Sequence, residues 1–452
     1  MVQRTQNDRE TTMKILVVGS GAREHALCAK IAESPLADAV FCAPGNPGID
    51  EVSKCSTVQA HTTKGVVDFA RYNNIHLVVI GPEQPLADGL ADWLREEKIP
   101  VCGPNKRAAE IETSKFFAKR FMDAHNIPTA PWLAATTRWA AKRASAAFAE
   151  GAATHHTSGV PIVVKVDGLA QGKGVYVANT TFELCGALNE IFTTKRFGVA
   201  GHVVIVECKL SGLEVTATCV TDGKRVVMLP DSMDYKQAED GDRGRNTGGM
   251  GSHSPSFALT EAELEWIRIN VMQKAVDGLR SEGREFRGIL TAGLMISSER
   301  KIDVLEFNAR FNDPECQVLM ARIDEDIVPL LYRSAIGTLP DRATIVKTKD
   351  CVAANVVLVS APYPGEPVTG DEISGIQMAE ACNDVSVWHG NTARRADGKL
   401  VTAGGRALNV CAVGDTLHRA LKKAYHATAL VDWENKTCRQ DIGCRVLDKS
   451  TI

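Results

Sequence analysis

Apolar and polar positions change period along this chain, and the changes divide it into parts. A continuous apolar run at 14–19 (KILVVG) reads as a buried strand, and helical spacing follows over 23–33. A short strand at 39–43 and a third at 76–81 (HLVVIG) come next, then an amphipathic helix over 85–97 and a strand over 100–103. Strands separated by helices predict a doubly wound parallel sheet for residues 13–113. Residues 1–12 are polar and are expected to form a disordered extension, lacking the amphipathic pattern of a transit peptide.

A second region spans 114–332. Thr113–Ser114 is a candidate N-cap for a helix over 115–125, which Asn126, Ile127 and Pro128 end. Within 133–208 the order helix, strand, glycine loop, strand, helix, strand suits a small α+β lid. Further strands and helices run to 302–308 (IDVLEFN). Between them, residues 232–256 are polar with almost no apolar period, the pattern of a long functional or disordered loop. The last region, 345–448, offers a β run at 352–359, a glycine-rich hairpin at 397–413 and a striped helix at 416–430, hence a small β-rich domain.

Composition narrows the class. At 452 residues, about three domains are expected. Basic and acidic residues number 52 and 55, a net charge of −3, which points to neither a nucleic-acid nor a membrane surface. Thirteen scattered cysteines without a CxxC pair read as reduced thiols of a cytoplasmic protein. No apolar run reaches the length of a membrane span.

The richest chemistry lies at 165–175, KVDGLAQGKGV, between two apolar β-branched runs. Gly168, Gly172 and Gly174 let backbone amides turn toward an anion, and Lys165 and Lys173 add compact charge. A phosphate loop and a plain hairpin with solvated lysines both fit this run alone. It is no Walker A motif, because Gly168 and Gly172 enclose only three residues. A second glycine turn, Gly19-Ser20-Gly21-Ala22-Arg23-Glu24, joins the first strand to its helix, where phosphate is favoured. Glu24 replaces the third glycine of a dinucleotide fingerprint, and the second strand ends in Ala43-Pro44-Gly45-Asn46 without a ribose-binding acid. A different phosphate-bearing substrate fits better, with Arg23 as a phosphate partner. Glu83 is either a ligand at a strand's carboxyl end or an acid favoured at a helix start.

Glu306 and Asn308, at i and i+2, share one face of a strand with Arg310, while Phe307 and Phe311 take the other. Their oxygens suit Mg²⁺ with phosphate and water ligands, and the guanidinium suits a carboxylate or phosphate. A solvated strand of alternating polarity is the plain alternative. Glu207, at the end of an apolar run, is placed to bond an adenine edge, and Glu214 to hold ribose hydroxyls; solvated acids are the alternative. Asp231, Asp234 and Lys236 precede the mobile run NTGGMG (246–251) and suit a small zwitterion.

Together KVDGLAQGKGV, the hinge at 207–214, NTGGMG and EFNARFNDPE resemble the ATP-grasp superfamily. Within it, the chain resembles the glycinamide ribonucleotide synthetases. GSGAREHAL (19–27), APGNPG (43–48), GPE (81–83), HNIPTA (125–130), GNT (390–392), GGR (404–406) and DIG (441–443) extend the likeness from residue 13 to 446. The resemblance implies an N-terminal substrate domain, an ATP-grasp core with a lid, and a C-terminal β-rich domain. It implies ligation of glycine to 5-phosphoribosylamine through glycyl phosphate, with ATP and Mg²⁺ or Mn²⁺. By motif, Lys115, Lys165, Gly168, Gly172, Lys173 and Gly174 would bind ATP phosphates, Glu207 and Leu210 adenine, and Glu214 ribose. Glu306 and Asn308 would hold metal, and Asp231 and Arg310 glycine. Gly19, Gly21, Arg23, Glu24, Asn46 and Glu83 would meet phosphoribosylamine, and Arg310 and Lys173 would assist the chemistry. A monomer or weak homodimer without nucleic-acid or membrane partners is expected. Gln171, Cys208-Lys209, Leu213, Tyr235, Arg245 and Asn312 depart from the family's usual Ala, acid–apolar pair, acid, His, Pro and Gly. A carboxylating ATP-grasp synthetase, an ATP-binding protein without ligase activity and a nicotinamide-dependent dehydrogenase are the rival readings.

Overall fold

The computed structural model describes residues 12–152, 161–169, 174–341 and 344–447. Gly172 and Lys173 lie outside the described residues, as does most of the expected N-terminal extension.

Five parallel strands open the chain: β1 (Met13–Gly19), β2 (Ala37–Pro44), β3 (Cys55–Thr57), β4 (Leu77–Ile80) and β5 (Val101–Cys102). Their order is β3-β2-β1-β4-β5, so chain direction across the sheet reverses between β1 and β4. The carboxyl ends of those two strands form the switch point where such sheets bind ligands. The Gly19 turn and Glu83 both sit there. Instead of one helix over 85–97, two short ones form, Glu83–Ala87 and Leu90–Glu96. Gly89, at φ 85°, takes a left-handed turn between them.

The lid is an antiparallel sheet of β6 (Trp132–Ala135), β7 (Ile162–Val166), β8 (Val175–Ala178) and β9 (Val204–Cys208), ordered β6-β9-β7-β8. Helices Arg138–Ala152 and Thr181–Phe192 accompany it, the second opened by a Thr180–Glu183 capping box. Val164, Val166, Leu188, Ile191, Val204 and Val206 give the lid its own apolar core.

The central sheet contains β10 (Leu213–Asp222) and β11 (Val226–Met228). The chain then forms β12 (Met233–Asp234), β13 (Gln237–Glu239), β14 (Arg243–Asn246) and β15 (Gly251–Ser254) before returning as β16 (Arg287–Ile296) and β17 (Ile302–Asn308). The central order is β11-β10-β16-β17. The C-terminal part adds β18 (Val352–Ser360), β19 (Val385–His389), β20 (Thr392–Arg394), β21 (Leu400–Thr402), β22 (Arg406–Gly414) and β23 (Lys436–Thr437). Helix Leu417–Leu430 packs on β18 and β22.

The polar stretch 232–256 is therefore not a loop. β12 and β15 extend the C-terminal sheet, in the order β12-β15-β18-β22-β19, and β13 pairs with β14 as a hairpin. Ser252, His253 and Ser254 are fully buried on β15, held by hydrogen bonds instead of apolar packing. Ser252 donates to Pro314 O at 2.9 Å and Ser254 to Asp231 O at 2.6 Å. Among the described residues no helix is long and apolar enough to cross a membrane.

Candidate active site

One cleft of about 1040 Å³ runs between the N-terminal sheet, the lid, the central sheet and the C-terminal part. Every described site residue expected from sequence lines it, except Asn46 and Asp231.

At the N-terminal end, the first helix, Ala22–Ala32, begins at Gly21, and its amide donates to Glu24 Oε2 at 2.7 Å. The chain's own carboxylate thus occupies the helix N-terminus, a position a dinucleotide pyrophosphate would need. A Cβ on Gly81 would lie 1.9 Å from Glu24 Oε1, so glycine is required for that side chain to fit. Arg23 donates from Nε to Glu24 Oε1 at 2.6 Å and from Nη1 to Phe311 O at 3.0 Å. Asn46 stands behind this wall. Its amide donates to Ser20 O at 2.9 Å and His389 O at 2.8 Å, tying the N-terminal sheet to the C-terminal part.

Arg310 bridges the cleft. Its Nε donates to Glu83 Oε2 at 3.1 Å, and its Nη1 to Asn312 Oδ1 at 2.8 Å and Phe311 O at 3.2 Å. Its Nη2 lies 2.8 Å from Glu112 Oε1. Four of the five guanidinium N–H groups are therefore committed, which leaves no free fork for a bidentate grip on a carboxylate. Burial acts to raise Glu83, but Arg310 and Arg23 hold its carboxyl below the usual range. Burial raises Glu112, with Arg310 opposing.

On the lid side, Ser114 caps the helix Lys115–Ala124 through Phe117 N, as its sequence predicts. Asp167 Oδ1 accepts from Phe116 N at 3.1 Å and so anchors the start of the glycine loop to that helix. Gly168 has φ 115°, a conformation L side chains rarely adopt. The Glu207 carboxylate is held by two lysines. Its Oε1 pairs with Lys165, and its Oε2 lies 2.5 Å from Lys119, with all three side chains at most 8 % exposed. Burial acts to raise the Glu207 carboxyl, but Lys165 and Lys119 lower it below the usual range.

The central strands supply the remaining acids. β17 carries one extra residue against β16: Gly293 faces Glu306, whereas Leu294 faces Val304. This bulge displaces Leu305, and Lys165 Nζ donates to Leu305 O at 3.1 Å. Glu306 Oε2 lies 3.8 Å from Lys115 and Oε1 lies 3.6 Å from Lys236, while Lys236 donates to Glu214 Oε1 at 2.5 Å. Burial acts to raise Glu306, but Lys236, Lys115, Lys165 and Arg310 bring its carboxyl down to about 2.

Deeper still, Asp234 is buried, with Oδ1 lacking a hydrogen-bond partner among the described residues. Burial and then the charge of Glu315 raise its carboxyl. Burial also raises Glu315, whose Oε1 accepts from Asn312 Nδ2 at 3.0 Å and Thr216 Oγ1 at 3.2 Å. Asp231 lies outside the cleft, its Oδ2 accepting from Ser256 N at 2.9 Å. Arg406 fixes the turn 247–250 between β14 and β15 by donating to Gly248 O at 2.5 Å and Asp313 O at 2.8 Å.

Lys119, Glu112 and Arg406 also shape this site, although the sequence does not single them out. Lys119 had a signal, one helical turn beyond Lys115 on the same face. Glu112 had none, and Arg406 only its place in GGR. Two departures acquire clear places. Tyr235 is buried away from the cleft, 3.3 Å from His253 Nε2 and covered by Arg439 and Arg445. Asn312, by contrast, lines the cleft between Arg310 and Glu315.

Three family models match this chain. These are the N domain of phosphoribosylglycinamide synthetase over residues 13–112, its ATP-grasp (A) domain over 113–316 and its C domain over 353–445. The phosphoribosylamine–glycine ligase of Agrobacterium fabrum is 42% identical over 435 residues, covering 96% of this chain and 99% of that protein. The crystal structure of phosphoribosylamine–glycine ligase from Thermotoga maritima aligns with TM-score 0.78 and 30% identity, over 95% of this chain and 99% of the other. A biotin carboxylase domain from Hydrogenobacter thermophilus, solved with MgADP and bicarbonate, shares the fold alone. Its TM-score is 0.68 at 16% identity, covering 95% and 92% of the two chains. The chain belongs to the phosphoribosylglycinamide synthetase family.

Proposed function

We propose that the three substrates divide this cleft between its walls. The reaction is the ATP-dependent ligation of glycine to 5-phosphoribosylamine in purine biosynthesis, giving glycinamide ribonucleotide, ADP and phosphate. ATP lies between lid and central sheet. Lys115 and Lys165 face its phosphates, with Gly168 and Gly174 offering backbone at the loop. Glu214 faces the ribose. The hinge backbone at Leu210 takes the adenine edge, since the Glu207 carboxylate is held by its two lysines.

The donor set fits Mg²⁺. Among the described residues no cluster of three His, Cys, Asp or Glu forms a metal cage, but Glu306 and Asn308 both line the cleft. One carboxylate and one amide oxygen, completed by phosphate and water, suit an ion that keeps much of its hydration. Mn²⁺ would use the same donors. Bound there, the ion would neutralise phosphate charge beside Lys115 and Lys165.

The phosphosugar lies at the switch point, with Gly19, Gly21, Arg23 and Glu83 around it. Glycine lies between, its ammonium at Asp234 and Glu315 and its carboxylate toward the nucleotide. Asp234 thereby takes the place expected for Asp231. The γ-phosphoryl passes to the glycine carboxylate, the amine of phosphoribosylamine attacks the resulting glycyl phosphate, and phosphate leaves. No protein nucleophile is required; positioning and charge compensation carry the reaction.

The observation that supports this reading most is the Arg310 bridge. It joins Glu83 at the phosphosugar end to Asn312 and Glu315 at the glycine end, beside Glu306. ADP formation with Mg²⁺, glycine and freshly generated phosphoribosylamine tests it. ADP and glycinamide ribonucleotide should appear in equal amounts; sustained ADP release without phosphoribosylamine would overturn it.

A further inference from the structure

Among the described lysines that line the cleft, Lys236 is set apart by pairing with two of its carboxylates. Lys119 and Lys165 are buried and share Glu207. Lys236 keeps 28% of its side chain exposed, and its described partners are both cleft carboxylates. It joins Glu214, facing the ribose, to Glu306, assigned to the metal. Lys115 lies on the second Glu306 oxygen. In this state both Glu306 oxygens have a lysine within 4 Å.

Resting on the reading of Glu306 and Asn308 as metal donors, we propose that Lys236 is a place-holding cation coupling metal entry to nucleotide binding. Without nucleotide, its ammonium lies between Glu214 and Glu306, offsets one of their two charges beside Lys115, and repels a divalent cation. Nucleotide phosphate offers that ammonium a replacement anion, and ribose hydroxyls offer Glu214 replacement donors. Glu306 is then released to the metal. Because coupling is reciprocal, the nucleotide must favour metal as strongly as the metal favours nucleotide. Coulomb repulsion between a single and a double charge about 5 Å apart, even at water's dielectric, corresponds to roughly tenfold in affinity.

Mn²⁺ binding to the full chain, read from the electron paramagnetic resonance signal of free Mn²⁺, tests this with and without a non-hydrolysable ATP analogue. Lys236→Met should bind Mn²⁺ alone at least about tenfold more tightly than the wild type, and its nucleotide–metal coupling should fall by the same factor. Lys236→Gln provides a second neutral variant should Lys236→Met fold poorly, and Lys236→Arg, retaining charge, should still exclude Mn²⁺. Unchanged Mn²⁺ affinity and coupling in folded neutral variants would overturn the proposal. Glu306→Gln separates the two layers. If it leaves Mn²⁺ binding with the analogue intact, the metal assignment itself fails, and the role of Lys236 with it.

Discussion

Replacing Glu207 by glutamine preserves shape while removing the charge that holds two lysines. In the native protein Lys119 Nζ lies 2.5 Å from one oxygen, Lys165 pairs with the other, and the three side chains are 3%, 8% and 3% exposed. In the variant, Lys119 keeps Thr129 Oγ1 at 2.7 Å and Lys165 keeps Leu305 O at 3.1 Å, acceptors that carry no net charge. Removing one partner of a buried ion pair costs about 3–5 kcal/mol, and here two cations lose the same partner. Taking about 4 kcal/mol, and roughly 2–4 °C per kcal/mol for a domain of this size, Tm should fall by about 8–16 °C. Nucleotide-free thermal unfolding, followed by near-ultraviolet circular dichroism, measures it. Adding Lys119→Met to Glu207→Gln should cost less than the sum of the single changes, because the double variant removes one stranded charge. A Tm within about 2 °C of wild type, with lost preference for ATP over GTP, would refute this reasoning and return Glu207 to the adenine edge.

Two further outcomes follow. Burial lowers the His253 pKa from 6.5 to about 4, with the Pro255 carbonyl opposing. The unfolded chain therefore takes up that proton first: stability from this site is complete above pH 6.5 and lost as pH falls toward 4. At pH 5 the loss is about 2 kcal/mol. Denaturant unfolding at pH 7 and 5 should show a smaller pH-dependent loss in His253→Gln, and equal losses would exclude the histidine as the cause. Asp234→Asn should raise the KM for glycine by roughly 10–100-fold, the worth of a charged hydrogen bond, while changing the KM for ATP less than about twofold. Steady-state kinetics with each substrate varied checks this, and an unchanged glycine KM would remove Asp234 from that subsite.

Period and turn chemistry made much of the fold legible. The apolar runs of β1 and β4 predicted a parallel sheet, and Ser114 announced its helix. The break at Gly89 is hidden in sequence because its neighbours keep the helical stripe. Strand β15 was illegible for a different reason: Ser252, His253 and Ser254 are buried through hydrogen bonds to Pro314, Asp231 and Pro255, which no hydrophobic pattern records. In the cleft, the spacing of Glu306 and Asn308 was enough to place both on it. The bulge at Leu305 left no trace in sequence. The pairing of the Glu207 carboxylate had no trace in sequence, since its two lysines come from a helix and a strand distant in the chain. Asp231 and Asp234 look alike in sequence; the path of the backbone into β12 decides which one reaches the cleft.

Transfer of ¹⁸O tests the central claim most directly. With glycine labelled in its carboxylate, ligation through glycyl phosphate must place one carboxylate oxygen in the released phosphate, once per glycinamide ribonucleotide formed. Mass spectrometry of the phosphate should show one ¹⁸O per product. Unlabelled phosphate accompanying product formation would contradict the account.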